Sequence, residues 1–451
     1  MNVDLLSRVL VSRARYERRD RWSPTQLAEH QARSLAELRR WAYARSPFYS
    51  RHHAGLFDAP LSELPPVTKE ELMGHFDEVV TDRSLHLGDI EDHLRAMVDT
   101  GADPGRPWRG RWWAAATAGT TGRRGVFVWD IREWSTILTS YARANDWAGV
   151  SAGLTHPLRV AVVSSLNPTH QSAVVGASLA SRLVPTLRLD ATAPIGETIG
   201  ALNAFGPRVL VGYASALRPL VSEQLAGRLR IAPEAVFSAS EVLSDVARRE
   251  LTHAWGSTPF DVYAATETAG ISSPCALGSR HTYDDLVILE PVDDRGAPVP
   301  AGTTGARLWV SVLFSRTLPL IRYELSDQVA LSGPGCPCGR PFGLMAGVEG
   351  RSEDVLSLPA PKGLVRIHPN VFHGVLDELT VAQWQVVHQA GAVRILLVAT
   401  GTPIDEASVR RSVEDALRTS GVPQIRVGVE LVDSIPRTAL GKTPLVRRAL
   451  P

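Results

Sequence analysis

Only three of the 451 residues are cysteine, and only Lys69, Lys362 and Lys442 are lysine. An odd cysteine count in a long chain makes no disulfide framework and points to a reducing, cytoplasmic location. Basic and acidic residues nearly cancel, 48 against 47 with a formal net charge of +1. Charge therefore supplies no footprint for nucleic acid or for an anionic membrane surface. No apolar run approaches the roughly 18 residues that cross a bilayer. The opening "MNVDLLSRVLVSRARYERRDRW" lacks the apolar segment and small-residue cleavage site of a signal peptide. Its amphipathic, arginine-rich pattern suits a surface helix. Because nearly every cation is arginine, each lysine raises the question of what a guanidinium could not do there.

The chain exceeds one ordinary domain. Residues 1–100 read as mostly helical, as in "QLAEHQARSLAELRRWAYARS". From about residue 110, short apolar strands such as "LRVAVVSSL", "RVLVGY", "EAVFSAS" and "FDVYAATE" alternate with amphipathic helices, the pattern of a largely parallel α/β sheet. Ligands of such sheets collect at the C-terminal strand ends. Residues 284–331 change to strands joined by Gly/Pro/Asp turns, an antiparallel region. After "GVEGRSEDVL" a β-β-α-β unit of roughly 95 residues begins, a plausible second domain. Its helix puts Val409, Val413, Ala416 and Leu417 on one face.

The string "AGTTG" occurs at Ala118–Gly122 and again at Ala301–Gly305. The second copy sits among turn formers and two aspartates, so Gly302–Gly305 is expected to be a hairpin turn. The first lies between apolar stretches, with Thr117 before it and Arg123 and Arg124 after it. Glycine-freed amides and hydroxyls there make either an anion cradle or a second hairpin. It is not a Walker A loop, since no lysine follows the last glycine. The only "GKT", Gly441–Thr443, has Pro436 where that motif needs its first glycine.

Five segments in order, "TAGTTGRRG", "YAATETAG" (Tyr263–Gly270), "IRYELSD" (Ile321–Asp327), "GRSED" (Gly350–Asp354) and "PRTALGK" (Pro436–Lys442), resemble the motifs of the adenylate-forming (ANL) superfamily. "LPPVTKEEL", "PLIRYELSD" and "CPCGR" are similar to its phenylacetate–CoA ligase and coenzyme F390 synthetase branch. The resemblance runs from Leu64 to Lys442. It implies a large N-terminal α/β domain, residues 1–353, with parallel sheets and a β region. A small mobile α+β domain, residues 354–451, would carry the catalytic lysine.

The same resemblance implies an AMP-forming ligase that activates a small carboxylic acid with ATP and Mg²⁺. Thr117, Gly119, Thr120, Thr121 and Gly122 would surround the β- and γ-phosphates. Glu267 would hold Mg²⁺, with Thr266 near the α-phosphate and Tyr263 near adenine. Asp327 and Arg351 would meet the ribose, Asp354 would be the hinge, and Lys442 would stabilise charge during adenylation. Mundane alternatives stand beside these roles: a solvated Glu267, an Asp327–Arg322 ion pair, a surface Asp354 and a tail Lys442. "RYELSD" departs from the superfamily's "YRTGD" at Glu324 and Ser326, which leaves the local geometry open. Candidates for the acid pocket are His170, Tyr213, Ala214, Ser238 and Ala265.

Coenzyme A is the leading acceptor implied. An amine or carrier protein, or a phenol receiving AMP, is the second choice, and a nucleotide-binding regulator without catalysis is a third. Cys275, His281, Cys336 and Cys338 form a set suited to a structural zinc ion, as in some members of that branch. The C-x-C spacing is tighter than the usual C-x₂-C, and buried free thiols are the alternative.

Overall fold

The computed structural model describes the chain apart from residues 1–2, 118–123, 154, 352–354, 362, 380, 390, 400–402, 436–444 and 449–451. Helices dominate the first hundred residues, as expected. Helix Pro24–Arg45 starts at a capping box, in which the Ser23 hydroxyl accepts from the Gln26 amide and Gln26 answers the Ser23 amide. Helix Val3–Arg19 is more than a surface element. Leu5, Val9 and Tyr16 are buried, and Arg19 reaches the buried Asp285 at 3.0 Å. Asp285 also takes two hydrogen bonds from the buried Arg143, at 2.7 and 2.9 Å.

A two-stranded hairpin, β1 (Trp113–Ala116) and β2 (Val126–Trp129), carries the first AGTTG copy between its strands. The main sheet is built from β3 (Val160–Ser164), β4 (Thr186–Asp190), β5 (Val209–Gly212), β6 (Ala235–Ala239), β7 (Phe260–Ala265), β8 (Ala269–Pro274) and β9 (Arg280–Thr282). A separate antiparallel sheet holds β10 (Val287–Val292), β11 (Arg307–Val312) and β12 (Tyr323–Leu325). Strands β13 (Asp327–Ser332) and β14 (Leu344–Arg351) return to the main sheet. Its order is β13-β14-β9-β8-β7-β6-β5-β3-β4. The expectation of parallel sheets needs correction: there is one mixed sheet, parallel from β4 to β7 and antiparallel from β7 to β13. The polarity changes because the β7–β8 connection is a tight turn, too short for the helical crossover a parallel partner requires.

Inside the parallel half the strands are buried on both faces, while edge strand β4 is only half-buried, so alternate residues of the inner strands enter different cores. Ala161, Val163, Leu210 and Val236 pack with helices Ile195–Phe205, Ala214–Leu225 and Asp245–Trp255. Val209, Ala235, Phe237 and Val262 pack the other way, with Ala144 of helix Ile131–Trp147. Near-continuous apolar strands are the consequence.

The second AGTTG copy lies in the β10–β11 connection, but the chain reverses earlier. Asp293 caps that turn by accepting from the Arg295 and Ala297 amides, both at 2.8 Å. The AGTTG copy makes a further turn of its own, with the Thr303 amide donating to the Pro300 carbonyl at 3.0 Å, and Gly302 and Gly305 donate to the Leu331 and Val329 carbonyls of β13.

A separate core begins at Leu356. Hairpin β15 (Leu356–Ala360) and β16 (Gly363–Ile367) precedes a sheet of β17 (Val381–Gln389), β18 (Ala392–Ala399), β19 (Arg426–Leu431) and β20 (Val446–Arg448), in the order β19-β18-β17-β20. Val409, Val413 and Leu417 of helix Glu406–Thr419 fill its face. The hairpin and β20 extend the expected β-β-α-β unit. Arg218 of helix Ala214–Leu225 meets this unit through the Asp377 carbonyl at 3.2 Å. No helix among the described residues is long and apolar enough to cross a membrane.

Candidate active site

Two sites stand at opposite ends of β8. At one end Thr266, Glu267 and Thr268 turn the chain from β7 into β8, with Ala265 facing Ala269. The turn is tight enough to hold Ala269 at φ 65°, a left-handed conformation that costs an alanine about 1 kcal/mol. Gly270 follows because a Cβ there would come 2.9 Å from the Tyr283 ring and 3.1 Å from the Ser140 hydroxyl. Glu267 is thereby buried at the switch from parallel to antiparallel pairing, the kind of position where open α/β sheets bind ligands.

Residues 167–171 join this turn to the β1–β2 hairpin. The Ala116 amide donates to the Thr169 carbonyl at 2.8 Å, and Arg124 donates to the Thr169 hydroxyl. Thr117 closes the hairpin base, its amide donating to the Gly125 carbonyl and its hydroxyl accepting from the Gly125 amide. On the other side the Gln171 amide group donates to the Thr266 carbonyl at 3.0 Å. Tyr141 fixes Gln171 by donating to its oxygen at 2.9 Å. The neighbouring His170 is buried at the start of helix Gln171–Leu179.

The motif "IRYELSD" comes in as β12 and the first residue of β13. Tyr323 is buried, with its hydroxyl 3.5 Å from Glu267 Oε1. Burial and the Glu267 carboxylate hold this phenol well above its ordinary pKa. Asp327 is buried at the start of β13, in register with Arg351 of β14. Arg322 does not pair with Asp327: it binds Glu290 at 3.2 Å, donates to the Ser62 and Leu64 carbonyls, and lies over the Trp309 ring. That removes the ion-pair alternative. Glu324, the departure from "YRTGD", is taken up by Arg307 at 3.0 Å and Trp309 Nε1 at 3.1 Å.

Tyr263 is buried on β7. Tyr213 stands just beyond β5, where its hydroxyl accepts from the Ser165 amide and burial raises its pKa. Ala214 opens the following helix, and Ala265 ends β7. Ser238 on β6 is fully buried, and its hydroxyl has no hydrogen-bond partner among the described residues. Gly119, Thr120, Thr121, Gly122, Asp354 and Lys442 lie outside the described residues.

Four contributors escaped sequence reasoning: Thr169, Gln171, Tyr323 and Lys69. A Cβ on Gly125 would lie 3.4 Å from Lys69 Cδ, so this rare lysine runs along the hairpin base. Its scarcity was the available signal. The other three are visible only through partners far away in the chain.

At the other end of β8, Cys275 enters a tight turn to β9, which carries His281. The β13–β14 connection brings Cys336 and Cys338 to the same place, because β14 pairs with β9 at Leu344 and His281. The four ligand atoms lie within 4.8 Å of one another. Cys275 and Cys336 sulfurs are 3.8 Å apart, and Cys338 Sγ is 3.2 Å from His281 Nε2. His281 Nδ1 lies 3.4 Å from the Phe342 carbonyl, the orientation in which the outer nitrogen donates and the inner one is left to ligate. Burial raises the Cys275 thiol. Burial also acts to raise Cys336, but hydrogen bonds from Ser279 and Cys338 outweigh it and bring that thiol to about 7.

No protein-family model matches the chain. Over 155 residues it is 27% identical to phenylacetate–coenzyme A ligase of Thermus thermophilus, covering 33% of this chain and 34% of that protein. It is 22% identical over 280 residues to protein CapK of Staphylococcus aureus, covering 60% and 54% respectively. The matched stretches thus span about a third and about half of these curated relatives. Among solved structures, 2-hydroxyisobutyryl-CoA ligase in the postadenylation state, in complex with 2-HIB-AMP, superposes with TM-score 0.72. The identity there is 18%, covering 94% of this chain and 90% of that one.

Proposed function

The chain belongs to the adenylate-forming superfamily as a distant relative of phenylacetate–CoA ligase and CapK, and from that premise we propose that it is an ATP-dependent, AMP-forming acid ligase. A small carboxylate attacks the α-phosphorus of ATP, pyrophosphate leaves, and a second nucleophile displaces AMP from the acyl-adenylate. Coenzyme A is the acceptor proposed, in keeping with the names of the phenylacetate and 2-hydroxyisobutyryl relatives. An amine, carrier protein or phenol is the alternative.

One observation carries the proposal: the segment 167–171 and Tyr323 converge on the β7–β8 turn that presents Glu267, next to the hairpin of Thr117. A hard carboxylate at that turn fits Mg²⁺, which keeps several waters and takes one or two protein oxygens. When bound, Mg²⁺ neutralises triphosphate charge. In the proposal, Thr117, Gly119, Thr120, Thr121 and Gly122 bind the β- and γ-phosphates, with Lys69 adding a cation along the hairpin base. Thr266 lies by the α-phosphate, Tyr263 by adenine, and Asp327 with Arg351 by the ribose. Lys442 stabilises developing charge on the reacting oxygens. Asp354 is the hinge between residues 1–353 and 354–451, which lets Lys442 leave before the acceptor enters. The acid sits near His170, Tyr213, Ala214, Ser238 and Ala265. There a ligand hydrogen bond would relieve the Ser238 hydroxyl, whose isolation costs about 1–3 kcal/mol.

The Cys275/His281/Cys336/Cys338 set is proposed as a structural zinc site. Three sulfurs and an imidazole suit a closed tetrahedron, and six residues of β8 set it about 20 Å from the Glu267 turn.

An acid-panel ATP–pyrophosphate exchange assay tests the proposal. One acid should support exchange, and coenzyme A should then accelerate AMP release beyond slow hydrolysis. Exchange with acceleration only by an amine, phenol or carrier would refute the CoA acceptor alone. No exchange on a broad panel would refute the enzyme.

A further inference from the structure

We infer that Tyr323 is a positioning residue for the Glu267 carboxylate: its hydroxyl meets Oε1 and sets the orientation in which the group faces a divalent cation. This rests on the proposal that Glu267 binds Mg²⁺.

The phenol reaches Oε1 at 3.5 Å in a buried setting. Three separate segments fix where it stands. The backbone on either side is clamped by Val67, whose amide donates to the Arg322 carbonyl while its carbonyl accepts from the Glu324 amide. Tyr323 faces Val310 in the β11–β12 register. Its ring meets Phe127 of the β1–β2 hairpin edge-on, with centroids 6.2 Å apart and planes at 86°. The preceding Arg322 is held at φ 49°, a left-handed backbone that persists only where surroundings over-determine it. Its bonds to Glu290, Ser62 and Leu64 supply that constraint.

Packing alone would be served by phenylalanine. The hydroxyl adds one thing, a neutral donor to the carboxylate. An arginine or lysine in its place would compete with the cation for the carboxylate's charge, whereas a phenol orients the group and leaves it ionised. Glu324 next to it is engaged by Arg307 and Trp309. Of the two side chains, Tyr323 is therefore the one that β12 contributes to Glu267.

Mn²⁺ is the probe, titrated by electron paramagnetic resonance into protein saturated with a non-hydrolysable ATP analogue. Tyr323→Phe should keep the wild-type melting temperature and weaken Mn²⁺ binding about tenfold, the scale of one hydrogen bond to a charged group. The Mg²⁺ concentration that half-saturates exchange should rise by the same factor, with the KM of the acid unchanged. Glu267→Gln should weaken Mn²⁺ further. Wild-type Mn²⁺ binding by Tyr323→Phe, with loss in Glu267→Gln, would overturn the positioning role and leave the Glu267 assignment standing. Wild-type binding by both variants would overturn both. A lowered melting temperature in Tyr323→Phe together with a raised KM for the acid would also overturn it, since that is the mark of a merely structural residue.

Discussion

The two ends of β8 are opposite in chemistry and in construction. The Glu267 end offers oxygen donors at a strained turn and is completed by segments near residues 67, 117, 170 and 323. The Cys/His end offers sulfur and imidazole, and two neighbouring connections together with strand β9 build it. Hard donors at a site that must release product suit a substrate-bridging cation, whereas soft donors closed around a point suit a permanent one. In the proposed function, the strand between them would let one sheet serve both purposes without mixing them.

If that contrast is right, damage at the two ends should differ in kind. Cys336→Ser should remove the roughly one zinc per chain expected by elemental analysis of protein purified without added metal. It should also destabilise the fold by on the order of 3 kcal/mol or more. Exchange by the molecules that remain folded should persist. Metal-free protein whose melting ignores chelation would break the comparison.

Lys442→Ala should do the reverse. Melting should be unchanged, while acyl-adenylate formation falls roughly 10²-fold, about 3 kcal/mol of barrier. Consumption of a synthetic acyl-adenylate should be nearly spared, and equal losses in both half-reactions would contradict the assigned role.

A smaller effect sharpens what supports the Cys/His end. Trp147 packs edge-on against His281, and Arg143 lies over the Phe342 ring. Burial would raise Asp285, but the Arg143 and Arg19 guanidiniums outweigh it and depress its pKa from 3.8 to about 2. The folded value is the lower one, so this stabilisation is complete above about pH 4 and disappears as pH falls toward 2. Its size is about 2 kcal/mol. Asp285→Asn should flatten that acid limb in melting curves recorded from pH 5 to 2, and an unchanged limb would mean the pair contributes nothing there.

Smallest is Tyr141→Phe, which frees Gln171 from its fixed orientation toward Thr266. Exchange should fall about fivefold, the scale of one neutral hydrogen bond, with zinc content untouched. No change would make Gln171 self-sufficient.

Legibility follows the same division. Helices before residue 100, the alternating strands and the antiparallel region could be read because 3.6- and 2-residue periodicities are local properties. The Cys/His set could be read because the donors are chemically rare. The mixed polarity of the sheet was missed, because it depends on the tightness of the Thr266–Thr268 turn and not on any strand's composition. The site's motifs could be named in order, but their supports could not: "NPTHQ" carries no sign that the Thr169 carbonyl binds Ala116 while the Gln171 side chain binds Thr266.

By itself, then, the sequence determined which segments become strands and helices, which residues bear hard or soft donors, and the order in which the motifs occur. These depend on neighbours within a few positions or on side-chain chemistry. Only the tertiary structure decided that Arg322 serves Glu290 and not Asp327, that Tyr323 reaches Glu267, and that Cys275, His281, Cys336 and Cys338 converge at one end of β8. Partners separated by more than 260 positions are chosen by strand register and by how buried polar groups find hydrogen bonds. Neither exists until the chain has closed on itself.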